Sequence, residues 1–136
     1  MDNRLLYLKQ SIFEAKAYTI SGVSDILSQR SEINKLACKY LFSVESYKKS
    51  IRRVLPLKNK IPIYFSNKLF LFYLKTNDGV MYYINYFEIL KICFDENIII
   101  IFKNGDILKL GVSKKIVTNE IKKIKIILNY INNLVW

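Results

Sequence analysis

Leu69-Phe70-Leu71-Phe72-Tyr73-Leu74-Lys75-Thr76-Asn77-Asp78-Gly79-Val80-Met81-Tyr82-Tyr83-Ile84-Asn85 is the stretch on which the fold turns. Both ends are rich in aromatic and branched side chains, which suit a pleated, half-buried surface. Asn77-Asp78-Gly79 between them is a strong turn signal. The stretch predicts two strands, 69–75 and 81–85, and a connection this short joins antiparallel neighbours. Working backwards, 61–65 reads as a strand that turns at Ser66-Asn67-Lys68. Working forwards, 89–94, 98–103 and 106–112 continue the series, and the Asn-Gly pair in Lys103-Asn104-Gly105-Asp106 suits a type I′ hairpin. Residues 61–112 are therefore expected to form an antiparallel β-meander of about six strands.

Helical spacing lies on either side. Ser31 reads as a cap with Glu32 in the first turn, followed by Ile33, Leu36, Ala37, Tyr40 and Leu41. Ser43 reads as a second cap, and Val44, Tyr47, Ile51, Val54 and Leu55 share one face until Pro56 ends the helix. Residues 31–55 thus form a helical pair. Ser113 caps a long C-terminal helix over 114–133, whose stripe is Val117, Ile121, Ile124, Leu128, Ile131 and Val135. Packing across the sheet is the default for this stripe. An oligomer seam through Val117, Ile121, Ile124, Leu128 and Ile131 is the alternative, because the spacing fits a and d positions over fewer than three heptads. Residues 1–28 carry the weakest pattern: Leu5-Leu6-Tyr7-Leu8 and Ala17-Tyr18-Thr19-Ile20 fit two strands of a ragged hairpin, and residues 11–16 fit a helix equally well. With no internal repeat and no linker, the chain reads as one α+β domain over residues 1–136.

Half the residues are apolar, which argues against disorder. Cys38 and Cys93 stand alone, with no CxxC and no histidine in the chain, so a metal site has almost no ligands to draw on. No cofactor is expected, and two free thiols fit a reducing compartment. Met1-Asp2-Asn3-Arg4 opens no signal-peptide pattern, and the apolar run 98–102 is far too short to span a membrane. A soluble cytoplasmic protein follows. The lack of histidine also removes the usual general base, and the glycines at 22, 79, 105 and 111 form no phosphate loop. Asp95-Glu96 reads as a solvated turn, and neither cysteine has a partner base. No catalytic residue is assigned, and an enzyme is disfavoured.

Charge points elsewhere. Between residues 35 and 68 lie Lys35, Lys39, Lys48, Lys49, Arg52, Arg53, Lys58, Lys60 and Lys68 against one acid, Glu45. From 69 to 112, Lys75, Lys91, Lys103 and Lys109 are balanced by Asp78, Glu88, Asp95, Glu96 and Asp106. The net charge of +11 is therefore segregated, and a clustered positive field attracts polyanions, nucleic acid first among them. Lys48, Lys49, Arg52 and Arg53 fall on one helical arc of about 140°. A merely soluble helix face is the plain counter-reading of four such cations. From charge and helix phase, Arg52 and Arg53 are the candidates for groove insertion, and Lys48, Lys49, Lys58 and Lys60 for phosphate contacts, with Lys39 added to the DNA-binding set.

Several pieces resemble the bacterial competence transcription factor (ComK) family. Glu32-Ile33-Asn34-Lys35-Leu36-Ala37-Cys38-Lys39-Tyr40 with Ser43 and Tyr47-Lys48-Lys49-Ser50 is similar to its central helix and basic helix. Lys60-Ile61-Pro62-Ile63 is similar to its Lys-x-Pro-Ile strand, and Tyr83-Ile84-Asn85 stands at its Trp-Ile pair. Ile101-Phe102-Lys103-Asn104-Gly105 and Val112-Ser113 resemble its elements before the last helix. Ser11-Ile12-Phe13-Glu14 resembles a short motif near its start. The likeness covers roughly residues 11 to 131. Residues 42–48 depart from it, lacking the family's two glycines and an arginine. The resemblance implies a DNA-binding activator of competence and DNA-uptake genes. It also implies action as a homo-oligomer on AT-rich double-stranded DNA through the minor groove, under a regulatory adaptor protein and away from the membrane. The alternative from another class is a non-catalytic protein-interaction module whose sheet-plus-helix scaffold binds an acidic partner.

Overall fold

The computed structural model describes residues 4–134. Met1-Asp2-Asn3, read above for a signal sequence, and Val135 of the C-terminal stripe lie outside them. The chain begins with three strands, β1 (Leu5–Gln10), β2 (Ala15–Thr19) and β3 (Gly22–Asp25). Two helices follow, α1 (Gln29–Lys39) and α2 (Val44–Val54). Then come β4 (Ile63–Ser66), β5 (Leu69–Lys75), β6 (Met81–Asn85), a 3-10 turn at Tyr86–Glu88, β7 (Ile89–Phe94), β8 (Ile98–Phe102), β9 (Ile107–Leu110) and α3 (Lys114–Asn132). The α+β expectation holds: antiparallel strands, a preceding helical pair and a long final helix are all present.

Six strands form one sheet in the order β3-β2-β1-β6-β5-β4, and β7-β8-β9 form a second. The expected run of strands over 61–112 is thus divided into two three-stranded meanders. The reason is the amino-terminal hairpin. β1 pairs with the outer edge of β6, with Leu8 opposite Tyr83 and Lys9 opposite Tyr82. That edge is closed to β7, which turns away to found its own sheet.

β5 lies inside the large sheet and is buried on both faces, which is why its sequence is apolar without alternation. Phe70, Phe72 and Leu74 join a core shared with Ile98, Ile100 and Phe102 of β8 and with Val117, Ile124 and Ile127 of α3. Leu69 and Leu71 face the other way, onto Ile33 and Ala37 of α1 and Val44 of α2. A register shift between Leu5 and Tyr7 lets β1 serve both cores, Leu6 entering the first and Leu8 the second.

Several expectations change in detail. α1 is capped by Ser28, whose hydroxyl accepts from the Ser31 N–H at 3.0 Å, so Ser31 is inside the first turn. The earlier start is held by Gln29: its N–H donates to Gln10 Oε1 at 2.8 Å, and its buried amide donates to the carbonyls of Leu8 and Met81. Residues 11–14 are a tight turn closed by Ser11 N–H to Glu14 O at 2.8 Å, not a helix. β3 has no counterpart in the sequence reading; its side chains are all exposed. The β8–β9 turn is not type I′. Gly105 alone takes the left-handed conformation, at φ 97°, while Asn104 does not. The Gly105 N–H to Phe102 O and Phe102 N–H to Asp106 O bonds define a three-residue hairpin loop with a glycine bulge.

The α3 stripe packs on the chain's own sheets, as its default reading expected. Val117 and Ile124 are wholly buried in the chain's own core, and Ile121, Leu128 and Ile131 are half-buried against that core. Glu120 and Ile127 are buried beside them, so the covered line is rotated toward those positions. The stripe packs across the sheets.

Asn85 is buried at the end of β6 and makes four hydrogen bonds. Its carbonyl oxygen accepts from the N–H groups of Phe70 and Phe87 at 3.0 and 3.3 Å, and its amide donates to Leu5 O and Lys68 O at 2.9 and 3.1 Å. Asn85→Leu would orphan backbone groups in three segments, so a loss of about 2–4 kcal/mol in urea unfolding is expected. A midpoint unchanged from the parent chain would contradict that role.

Candidate nucleic-acid interface

α2 forms for local reasons. Ser43 Oγ accepts from the Ser46 N–H at 3.2 Å, Glu45 lies in the first turn, and Arg52 and Arg53 lie in the last, where the helix dipole favours cations. The helix stops at Val54 ahead of Pro56. Val44 and Ile51 are buried beneath it, but Val54, expected on the same face, is 53% exposed.

Tyr47 fixes the helix to the sheet edge. Its hydroxyl donates to Pro62 O at 2.7 Å and accepts from the Tyr64 N–H at 3.1 Å, satisfying the backbone at the start of β4. Burial pushes its phenol up to about 12, partly offset by the Tyr64 N–H. The cations are carried on a helix docked by apolar contact and by this directional tie.

The structure exposes Lys39, Lys49, Arg52, Arg53, Lys58 and Lys60. Among the described residues, ion pairs join Arg4 to Glu88, Lys16 to Glu14 and Asp25, and Lys123 to Glu120. None of them neutralises α2 or the loop after it. Lys48 is half-buried and lines a cavity of about 540 Å³ together with Tyr73 and Tyr83. Lys60 also reaches Tyr73, its Nζ 5.5 Å from the ring centroid. Lys39 belongs to the last turn of α1, before the connection to α2, and stands apart in sequence from the Arg52–Lys60 group.

Arg52 has a second task. Its Nε donates to Lys58 O at 3.1 Å, so part of the guanidinium folds the following loop back onto α2. Arg53, exposed, makes no such bond among the described residues. The far side of that loop is held by Lys123 of α3, which the sequence reading did not select. Lys123 Nζ donates to Asn59 O at 3.0 Å and to Lys60 O at 3.5 Å, and pairs with Glu120 Oε2 at 2.7 Å. Glu120 is buried, which raises its carboxyl above the usual range, while Lys123 pulls it back down. The only signal in the sequence was an acid inside an otherwise basic, apolar helix. These ties hold Lys60 in a left-handed conformation, φ 49°.

Among the described residues no group of three or more His, Cys, Asp or Glu side chains is placed to hold a metal ion. Cys38 is exposed, Cys93 is half-buried, and both are free thiols. Asp95 and Glu96 occupy the exposed β7–β8 turn. No helix of the described residues is long and apolar enough to cross a membrane. Comparison with family models, with curated proteins and with solved structures finds no match for this chain.

The Tyr47 tie has a pH signature. A phenol whose folded value is raised from 10 to about 12 stabilises the fold fully below pH 10 and loses that contribution as pH climbs through 12. Tyr47→Phe should destabilise by about 1–2 kcal/mol at neutral pH through the two lost bonds. It should also flatten part of the alkaline fall in stability, measured by urea unfolding from pH 8 to 12. Equal slopes for parent and variant would remove Tyr47 from that role.

Proposed function

We propose that this chain is a non-catalytic, DNA-binding transcriptional regulator that grips double-stranded DNA with α2 and the loop that follows it. The observation that carries the reading is a set of exposed cations that form no ion pair among the described residues, Lys49, Arg52, Arg53 and Lys58, with Lys60 beside them near the buried Glu120, on a helix and loop fixed by Tyr47, Arg52 and Lys123. Preorganised cations lose little entropy when they meet phosphates, and their net effect is counterion release. Arg53 is the candidate for insertion into the narrow, strongly negative minor groove of an A-tract. Lys49, Lys58 and the free part of Arg52 serve the phosphates beside it.

The likeness to the competence transcription factor family narrows the proposal to AT-rich duplex and to an activator of DNA-uptake genes. The chain would act in the cytoplasm as a homo-oligomer under a regulatory adaptor. Lys39-Tyr40, Lys48-Lys49 and Lys60-Ile61-Pro62-Ile63 support it by their order. Lys48, turned toward Tyr73 and Tyr83, and Lys39, on the preceding helix, are the weaker contributors.

Fluorescence anisotropy with AT-rich and GC-rich duplexes of equal length, titrated at several salt concentrations, tests both levels. Three phosphate contacts, from Lys49, Lys58 and Arg52, predict a log–log salt slope of about −2.7; Lys49→Ala should reduce it by about 0.9, and Arg53→Ala should weaken binding to the AT-rich duplex most. Both side chains are exposed, so folding should be unaffected. Absence of binding at low salt would end the proposal. Equal affinity for the two duplexes would leave DNA binding and remove AT-rich recognition.

A further inference from the structure

A second positive surface lies on the other flank of α3, and it is built differently. β7 pairs with β8 on one side only, so its other edge carries backbone donors and acceptors without a strand partner. Between that edge and α3 runs a groove of about 430 Å³. Its apolar lining includes Leu90, Ile92 and Phe94 of β7 and Ile121 of α3. Leu90 is 67% exposed and Phe94 44%. Leu90 is pushed outward by the register shift between Ile89 and Lys91, while residues 91–94 keep regular pairing with β8.

The rim is cationic. Lys91, Lys103 and Lys125 line the groove and no acid does. Lys114 adds a fourth charge, its Nζ 5.4 Å from the Phe94 ring centroid. Lys91 and Lys103 come from the part of the sequence whose charges balance. The Lys103 N–H donates to Glu88 O at 2.9 Å, but the Glu88 carboxylate is buried and paired with Arg4, and Asp95 and Glu96 stand in the turn beyond the groove.

We propose that the β7–α3 groove is a docking site for an extended peptide segment of a partner protein in which acidic and branched apolar residues alternate. Pairing with β7 would extend the small sheet by one strand. Apolar side chains would fill the groove over Leu90, Phe94 and Ile121, and the acids would meet the lysines on the rim. A second copy of this chain is disfavoured, because it would set lysine rim against lysine rim. The site is separate from the proposed DNA surface. On α3, Lys123 faces the loop at Asn59–Lys60, whereas Ile121 and Lys125 face β7. Both surfaces can therefore be occupied together, and this inference does not rest on the DNA reading.

The test uses the full chain and a fluorescein-labelled peptide alternating Ile or Val with Asp or Glu, against a control with Lys at the acidic positions. The acidic peptide is expected to bind at least about tenfold more tightly than the control, and Lys91→Glu with Lys125→Glu should weaken it by about tenfold or more. Both lysines are exposed, and far-UV circular dichroism checks that the variant folds. Amide exchange across residues 90–94 should slow when the peptide is bound. Equal affinity for the two peptides, or unchanged exchange in β7, overturns the proposal. So does displacement of the peptide by AT-rich duplex with loss of duplex binding in the double variant, which gives the groove to DNA. Displacement by phosphatidylglycerol vesicles that depends on Leu90 and Phe94 gives it to a lipid surface and overturns the proposal equally.

Discussion

The four hydrogen bonds of Asn85 are the constraint around which the rest of the structure is arranged. One side chain, 1% exposed, ties the start of β1 to the approach and second residue of β5 and to the turn that leaves β6. These groups are up to 80 residues apart in sequence. Their backbone donors and acceptors fall where the ladder ends, so no strand neighbour can satisfy them. An apolar residue would fill the volume and leave them unpaired in a core that excludes water. Because Asn85 also caps the 3-10 turn at Tyr86–Glu88, the same residue that seals the large sheet directs the chain into the small one.

That change of sheet determines where the cations stand. With β7-β8-β9 folded over one face of the large sheet and α3 packed between them, the other face is left for α1 and α2. α2 comes to rest against β4, an edge strand, with Lys49, Arg52 and Arg53 exposed and Lys48 half-buried. The loop after it is then clamped from both sides, by Arg52 of the near helix and Lys123 of the distant one. The loop thus couples the candidate interface to the core through α3.

Local chemistry made much of this legible. β5, β6 and β7 have the ends expected of them, because apolar runs bounded by Asn-Asp-Gly and by Asn85 leave little room for a shift. Ser43, Pro56 and Ser113 mark helix ends by mechanisms that need no tertiary contact. What was not legible depended on partners far away in sequence. α1 begins earlier than Ser31 suggested because Gln29 finds Leu8 and Met81. The meander splits because β1 occupies the edge of β6. At the candidate interface the α2 residues were readable from their phase, but the diversion of Arg52 to Lys58 O and the arrival of Lys123 were not. A count along the chain also hid the β7–α3 groove, because Lys91 and Lys103 share their stretch of sequence with acids that do not line it.

Charge in this chain is consequently a property of the fold as much as of the composition. Of its 11 acids, Glu88 and Glu120 are 4% exposed each, and each is matched by a cation that reaches in from a more exposed position. Buried pairs of this kind contribute little net stability, since desolvation offsets most of the attraction. Glu120 even leaves Oε1 without a partner. Their effect is positional. Glu120 holds Lys123 where its remaining protons meet the carbonyls of Asn59 and Lys60, and Arg4 and Glu88 join the amino-terminal strand to the turn before β7. Two acids that would otherwise weaken the surface field are withdrawn from it and spent on geometry. Two groups of exposed cations stand on opposite flanks of α3, one on α2 and the loop after it and one around the apolar β7–α3 groove. The two proposals differ because the surfaces do: a duplex is proposed for the cations of α2 and its loop, and an acidic, apolar peptide for the groove, where lysines rim an apolar floor.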